Sequence, residues 1–166
     1  MIHMVRASVL EGVGQLAVHD YPRPEVEEKA FLLKMVMCGV CGTDIHLYGG
    51  KMNIPFPVIP GHEFVGRIEE MGKGVADLEV KGQSLGEGDL VVVVPGTNAF
   101  CGTCYFCRFM PHKPTLCTNR RVMGVNMSCI DPPHLFGGWA EEIYVDAGHW
   151  WTYKVPEDLP PEVAVL

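Results

Sequence analysis

Cys101-Gly-Thr-Cys104-Tyr-Phe-Cys107, followed by Cys117, spaces four thiols as C-x2-C-x2-C-x9-C. Two residues between sulfurs let a tight turn bring both to one tetrahedral ion, and four cysteines close its coordination sphere. With no position left for water or substrate, such a site is structural. It can organise a lobe, here about residues 95–120, that lacks apolar material of its own. Free thiols, two disulfides or an iron–sulfur cluster are the competing readings. The bacterial ferredoxin run needs a tighter fourth cysteine followed by proline. The chain has seven cysteines, an odd number, and its start, MIHMVRASVLEGVG, has no apolar core of signal-peptide length. Both facts favour metal ligation over disulfide staples. Cys38 and Cys129, outside the tight spacings, read as small buried hydrophobes.

The 166 residues, 48% of them hydrophobic, suffice for one domain with its own core. A net charge of −7 and no block of Lys or Arg argue against nucleic acid or an anionic membrane as partner. The longest aliphatic run, Leu90 to Val94, is too short to span a bilayer. A cytoplasmic location is expected.

Val5 to Leu10 and Leu16 to Tyr21 are β-rich segments joined by Glu11-Gly12-Val13-Gly14-Gln15, and read as a hairpin. Gly12-x-Gly14-x-x-Ala17 also matches a dinucleotide-binding fingerprint. That fingerprint requires a following helix, which Pro22 and Pro24 would stop early, so a glycine turn is the preferred reading. Further strands are expected at Ala30 to Met37, Glu63 to Met71, Asp89 to Val94, Arg121 to Val125, Gly138 to Val145 and Trp151 to Val155. Asp89 to Val94, with its unbroken apolar run, is expected to be buried on both faces. Thr43 to Tyr48 predicts a short helix ended by Gly49-Gly50, and Asn53 to Pro60 a stiff proline-rich loop. Pro95 to Asn119 carries little regular pattern. Many short strands with Gly and Pro turns indicate a mainly β barrel or sandwich.

The stretch Cys38 to Gly66, CGVCGTDIHLYGGKMNIPFPVIPGHEFVG, gathers Cys41, Thr43, Asp44 and His46, then Gly61-His62-Glu63. Thiolate, imidazole and carboxylate folded together form the mixed ligand set that catalytic zinc uses. Cys38-x-x-Cys41 after a strand is also the form of a redox motif. That motif opens a long helix, whereas this one meets Gly49-Gly50 at once.

CGVCGTDIHLYGG, PVIPGHEFVGRIEEMGKGV, GDLVVVVP, the CGTCYFC…LC cluster and GGWAEEIYV together resemble the medium-chain, zinc-dependent alcohol dehydrogenase family, from about Val5 to Leu166. The resemblance implies that residues 1–166 form its GroES-like catalytic domain, a partly open β barrel with short helices and a zinc-binding lobe. It implies Cys41 and His62 as catalytic-zinc ligands, with Glu63 as a direct or outer carboxylate. Thr43 would take the proton of the alcohol and His46 would pass it to solvent, both beside the NAD or NADP cofactor. Asp44 would orient the metal-binding histidine, and Cys101, Cys104, Cys107 and Cys117 would bind structural zinc. The partner would be a small-molecule alcohol or carbonyl compound, its pocket lined by residues such as Tyr48, Phe56 and Trp139.

The gap from Cys107 to Cys117 is longer than usual in such proteins, with Phe109-Met110-Pro111-His112-Lys113-Pro114 taking up the length. Enzymes of this kind carry a Rossmann domain and a further zinc ligand beyond the stretch matched here. The last segment, from Pro156, reads as a helix start only about a turn and a half long. The chain is therefore expected to be a truncated piece, inactive by itself, with any homo-oligomer built through that second domain. The alternative is a non-enzymatic zinc-binding module that keeps the GroES-like barrel for protein contacts.

Overall fold

A computed structural model describes residues 3–96 and 100–165. Residues 97–99 of the expected lobe, and both ends of the expected 1–166 domain, lie outside the described residues. The fold is mainly β, built as two open antiparallel sheets.

β1 (Met4–Gly12) and β2 (Gln15–Pro22) pair as a two-stranded sheet, with Val5 opposite Tyr21 and Leu10 opposite Leu16. Gly14, at φ +70, makes the turn between them, so the fingerprint-like glycines close a hairpin. β3 (Ala30–Cys38), β4 (Phe64–Met71), β5 (Leu90–Val94), β6 (Glu142–Asp146) and β7 (Trp151–Lys154) form the second sheet, in the order β6-β3-β4-β5-β7.

The strands buried on both faces are β3 and β6, not Asp89 to Val94. Along β3 the pleat sends Phe31 and Leu33 into a core with Phe64, Ile68 and Val91. The alternate Ala30 and Leu32 enter a second core with Val5, Ala7 and Val9 of the hairpin. The hairpin thus covers the outer face of β3. In β5 only Val91 and Val93 are buried, while Val94 is exposed. Arg121 to Val125 forms no strand. Gly124 sits at φ +71, and Asn126 Oδ1 accepts the Val122 amide at 2.7 Å, folding the segment into a turn.

Within the cysteine excursion the structure adds α2 (Tyr105–Phe109) and a 3-10 turn at Pro114–Leu116. α1 (Gly42–Tyr48) follows β3, and α3 (Pro161–Ala164) comes last. Among the described residues no helix is long and apolar enough to cross a membrane.

One buried acid pins the loop ahead of β5 to β7. Glu79 Oε2 accepts the amides of Lys81 (2.6 Å) and Gln83 (3.0 Å), and Oε1 accepts that of Lys154 (3.3 Å). Burial alone would raise its pKa, but the three backbone donors outweigh burial and hold the carboxyl below its usual range. Glu79→Ala is expected to cost about 2–3 kcal/mol at pH 7, since three amides lose a charged acceptor. The folded pKa is lowered, so this stability is present above the ordinary carboxylate pKa and is lost as pH falls through the folded value. Urea melts of the protein and the variant should converge at acid pH. A constant gap from pH 7 to 3 would show that the carboxylate's charge is not what matters.

Candidate metal centres

The last residue pair of the β3–β4 ladder is Cys38 opposite Phe64. Cys41 lies three residues beyond one end and His62 two before the other, so adjacent strand ends deliver both to one place. Cys41 Sγ and His62 Nε2 stand 3.2 Å apart. A Glu63 carboxylate oxygen joins them, the three donor atoms lying within 4.8 Å of one another.

Cys41 is also the N-cap of α1. Its sulfur accepts the Thr43 amide at 3.2 Å, and Asp44 Oδ2 accepts the Cys41 amide at 2.9 Å. This is a capping box with sulfur in place of the usual hydroxyl. The other Asp44 oxygen accepts the Gly61 amide at 3.3 Å. One buried carboxylate therefore clamps the Cys41 turn to the His62 loop. His62 Nδ1 is buried and makes no hydrogen bond, and Asp44 Oδ1 is its nearest acidic atom at 3.6 Å, beyond hydrogen-bond reach.

The loop before His62 is shaped by close backbone contacts. Gly61 lies at φ +90, and a Cβ there would come within 2.5 Å of Trp139 Cδ1. Gly124 also has positive φ, and its Cβ would fall 1.9 Å from the Gly61 carbonyl oxygen. The Gly138 amide donates to that same oxygen at 2.7 Å. These supporting contacts were not legible in the sequence. The one available signal was Cys41-x-x-Asp44, which has capping-box spacing but reads first as a cluster of ligands.

Thr43 and His46, three residues apart, share a face of α1, with Thr43 half-buried and His46 exposed. No hydrogen bond joins them among the described residues. Tyr48 is exposed, Phe56 packs beside Leu10 and Leu47, and Trp139 stacks near Gly61 against the second core. A cavity of about 700 Å³ runs between β1, β3 and the segment before β6. Trp139 lines it, but none of the candidate ligands does.

Cys101, Cys104, Cys107 and Cys117 carry no disulfide, and their sulfurs lie within 4.8 Å of one another. Sulfur–sulfur distances include 3.5 Å for 104–107, 3.7 Å for 101–117 and 4.0 Å for 101–107. A tetrahedral ion with zinc–sulfur bonds of about 2.3 Å has sulfur–sulfur edges of about 3.8 Å. The donor set fits zinc. The extra residues after Cys107 are absorbed by α2 and the 3-10 turn, with the Lys113 amide donating to Met110 O at 2.9 Å.

The Thr103 hydroxyl and backbone donors hold the Cys101 thiol down at about 5, and backbone donors at Cys107 and Thr118 hold Cys104 at about 7. Burial, with the neighbouring sulfurs, pushes Cys107 up to about 12. At Cys41 and His62 the mixed donors suit the same metal. An N–zinc–S tetrahedron has an edge of about 3.5 Å, close to the distance found. His62 Nδ1 lies 3.6 Å from Asp44 Oδ1, just short of the hydrogen bond that a metal-bound imidazole donates from its other ring nitrogen. Of the remaining cysteines, Cys129 is buried, while Cys38 is half-buried against the first core. Burial, followed by the Asp44 charge, pushes the Cys38 thiol up to about 12, which opposes redox use at neutral pH.

An open antiparallel β domain with a four-cysteine lobe and a Cys–His–Glu constellation at adjacent strand ends defines the class. The alcohol dehydrogenase GroES-like domain family matches residues 27–157. The chain belongs to that family, the N-terminal domain of medium-chain zinc-dependent alcohol dehydrogenases. It is 30% identical over 167 residues to an L-threonine 3-dehydrogenase of Anaeromyxobacter sp. (strain K), covering 98% of this chain and 42% of that protein. Among solved structures it resembles an alcohol dehydrogenase of Thermotoga maritima, with TM-score 0.85 and 33% identity over 98% of this chain and 44% of the other. It also resembles a protein of Sinorhizobium meliloti 1021 solved as a zinc-binding dehydrogenase bound to NADP, with TM-score 0.75 and 31% identity over 96% and 40% of the two chains. The chain thus spans less than half the length of the relatives it matches.

Proposed function

We propose that this chain is the zinc-binding catalytic domain of a dehydrogenase that moves hydride between an alcohol and NAD or NADP. Cys41 and His62 would hold the catalytic zinc, with the Glu63 carboxylate as the third donor. Cys101, Cys104, Cys107 and Cys117 would hold structural zinc. When bound, the catalytic metal supplies a Lewis acid that lowers the pKa of an alcohol's oxygen, and the nicotinamide accepts the hydride.

The remaining work falls to this chain's own residues. Thr43, half-buried beside Cys41, would receive the hydroxyl proton. His46, on the same face of α1 and open to water, would carry that proton to solvent, and both would lie against the cofactor. Asp44 acts as a positioning residue through its two amide contacts. The alcohol loses one hydride and one proton, and the carbonyl product carries neither. The observation behind this reading is the 3.2 Å approach of Cys41 Sγ to His62 Nε2, with a Glu63 carboxylate oxygen within 4.8 Å of both. A secondary alcohol is the substrate class to try first, and L-threonine its first member, given the name of the Anaeromyxobacter relative.

Metal analysis with sulfur as the internal protein count tests the ligand sets. About two zinc per chain is expected, one for each donor group. A single zinc that survives Cys41→Ala would restrict metal to the lobe. Taken with no NAD(P)-linked turnover of alcohols by the whole protein, it would leave a zinc-binding module and overturn the enzymatic reading.

A further inference from the structure

The cavity of about 700 Å³ between β1, β3 and the segment before β6 is lined by no candidate metal ligand. Its volume falls within the range of small-molecule sites, about 300–1,000 Å³. The pleat accounts for its place. Ala30 and Leu32 lie on the face of β3 that the hairpin covers, and Lys34, exposed, is the next residue on that face. The apolar packing ends there, and hairpin and sheet part around the cavity.

Val18, Met35 and Trp139 give it apolar surface, while charge comes from both signs. Glu142 is already engaged, its Oε2 accepting from Arg23 Nε at 2.7 Å. The fixed charges left are two cations, Arg6 and Lys34, and two carboxylates, Glu69 and Glu141. None of the four is saturated. Lys34 Nζ stands 3.8 Å from Glu69 Oε1, too far for a hydrogen bond. Arg6 meets Asp20 through Nε at 3.2 Å, and its terminal nitrogens have no partner among the described residues. One Glu141 oxygen accepts the Arg6 amide at 3.1 Å, and the other accepts nothing among the described residues.

We propose that this cavity is an effector site for a small zwitterion, an α-amino acid with an apolar side chain. A lone anion would face Glu69 and Glu141, and a lone cation would face Arg6 and Lys34. A ligand with an ammonium beside a carboxylate completes a ring of alternating sign with the Lys34–Glu69 pair. Its side chain covers Trp139, Met35 and Val18, which supply the apolar part of the contact.

Trp139 links the cavity to the candidate zinc site. Its carbonyl accepts the Ser8 amide at 2.8 Å, and its own amide donates to Pro60 O at 3.0 Å. A Cβ on Gly61 would lie 2.5 Å from its Cδ1. The same residue is therefore cavity wall on one side and backing for the His62 loop on the other. A ligand that fixes Trp139 fixes that loop, so occupancy strengthens zinc retention by Cys41 and His62, and zinc strengthens ligand binding to the same degree. This coupling rests on the zinc assignment proposed above, whereas the cavity's own affinity does not.

Calorimetric titration of the zinc-loaded whole protein with L-leucine is the test, read beside 4-methylpentanoate and 3-methylbutylamine, which keep the side chain and one charge each. Leucine has no hydroxyl to oxidise, so its binding is separate from turnover. It is expected to bind at least about fivefold more tightly than either analogue, and Lys34→Gln or Glu69→Gln, both exposed, to weaken it by a similar factor. Saturating leucine should slow the loss of zinc to a chelator at least about threefold, an effect absent from Cys41→Ala, which retains only the lobe's metal. No binding, equal binding of the three probes, or leucine affinity indifferent to both substitutions overturns the site. The expected binding pattern with unchanged zinc loss overturns the coupling. A protein that takes no zinc at Cys41 and His62 overturns the metal assignment instead, and the titration still decides the cavity.

Discussion

Cys41→Ala and His62→Ala in the whole protein are each expected to abolish dehydrogenase turnover, lowering kcat/KM by at least about a thousandfold, or some 4 kcal/mol of transition-state stabilisation. Neither residue belongs to the hydrophobic cores, so the fold should survive. Circular dichroism should remain native while zinc falls by one per chain. The two substitutions differ in one respect. Cys41→Ala also removes the sulfur that accepts the Thr43 amide, so it should loosen the first turn of α1, whereas His62→Ala leaves that cap intact. Turnover near the unsubstituted level in either variant would remove these residues from the metal site.

Cys104→Ser, or prolonged chelation, is expected to unfold the lobe while leaving both sheets in place. Neither α2 nor the 3-10 turn contributes a buried side chain, so the lobe has almost no apolar contribution of its own to stability. Metal binding is of the order of 10–16 kcal/mol in small zinc domains, and here it would supply most of the local folding energy. Trypsin should then cut at Arg108, Arg120 and Arg121 at least ten times faster, with a protected core fragment persisting. A lobe that stays resistant after its metal is removed would mean that packing rather than sulfur ligation holds it.

Much of the architecture could be read from local pattern. The hairpin came from two β-rich runs around a glycine turn, and α1 from its Gly49-Gly50 stop. The sulfur cluster was legible because thiol spacing is a constraint along the chain. The misreadings concern what lies across the fold. Leu90 to Val94 looked doubly buried because its residues are uniformly apolar, yet burial depends on which layer covers a strand, and the hairpin covers β3 instead. Arg121 to Val125 has strand-like composition, but the amide acceptor of Asn126 and the positive φ of Gly124 turn it. α2 was missed because metal spacing, not helical periodicity, dictates that sequence. At the candidate site the ligand types were visible, while the Asp44 clamp on Gly61 joins residues far apart in sequence and left no local mark.

The pairing of Cys38 with Phe64 at the end of the β3–β4 ladder has a bearing on quality control. A slip of one residue between these strands would carry Cys41 past His62 by about 3.3 Å, many times the latitude of roughly 0.2 Å that a metal–ligand bond allows. The two donors act like the scales of a vernier, in coincidence at one alignment and at no other. Were zinc held by these two donors as proposed, its retention would certify that β3 and β4 have docked in register, and a misaligned chain would betray itself by failing to bind it.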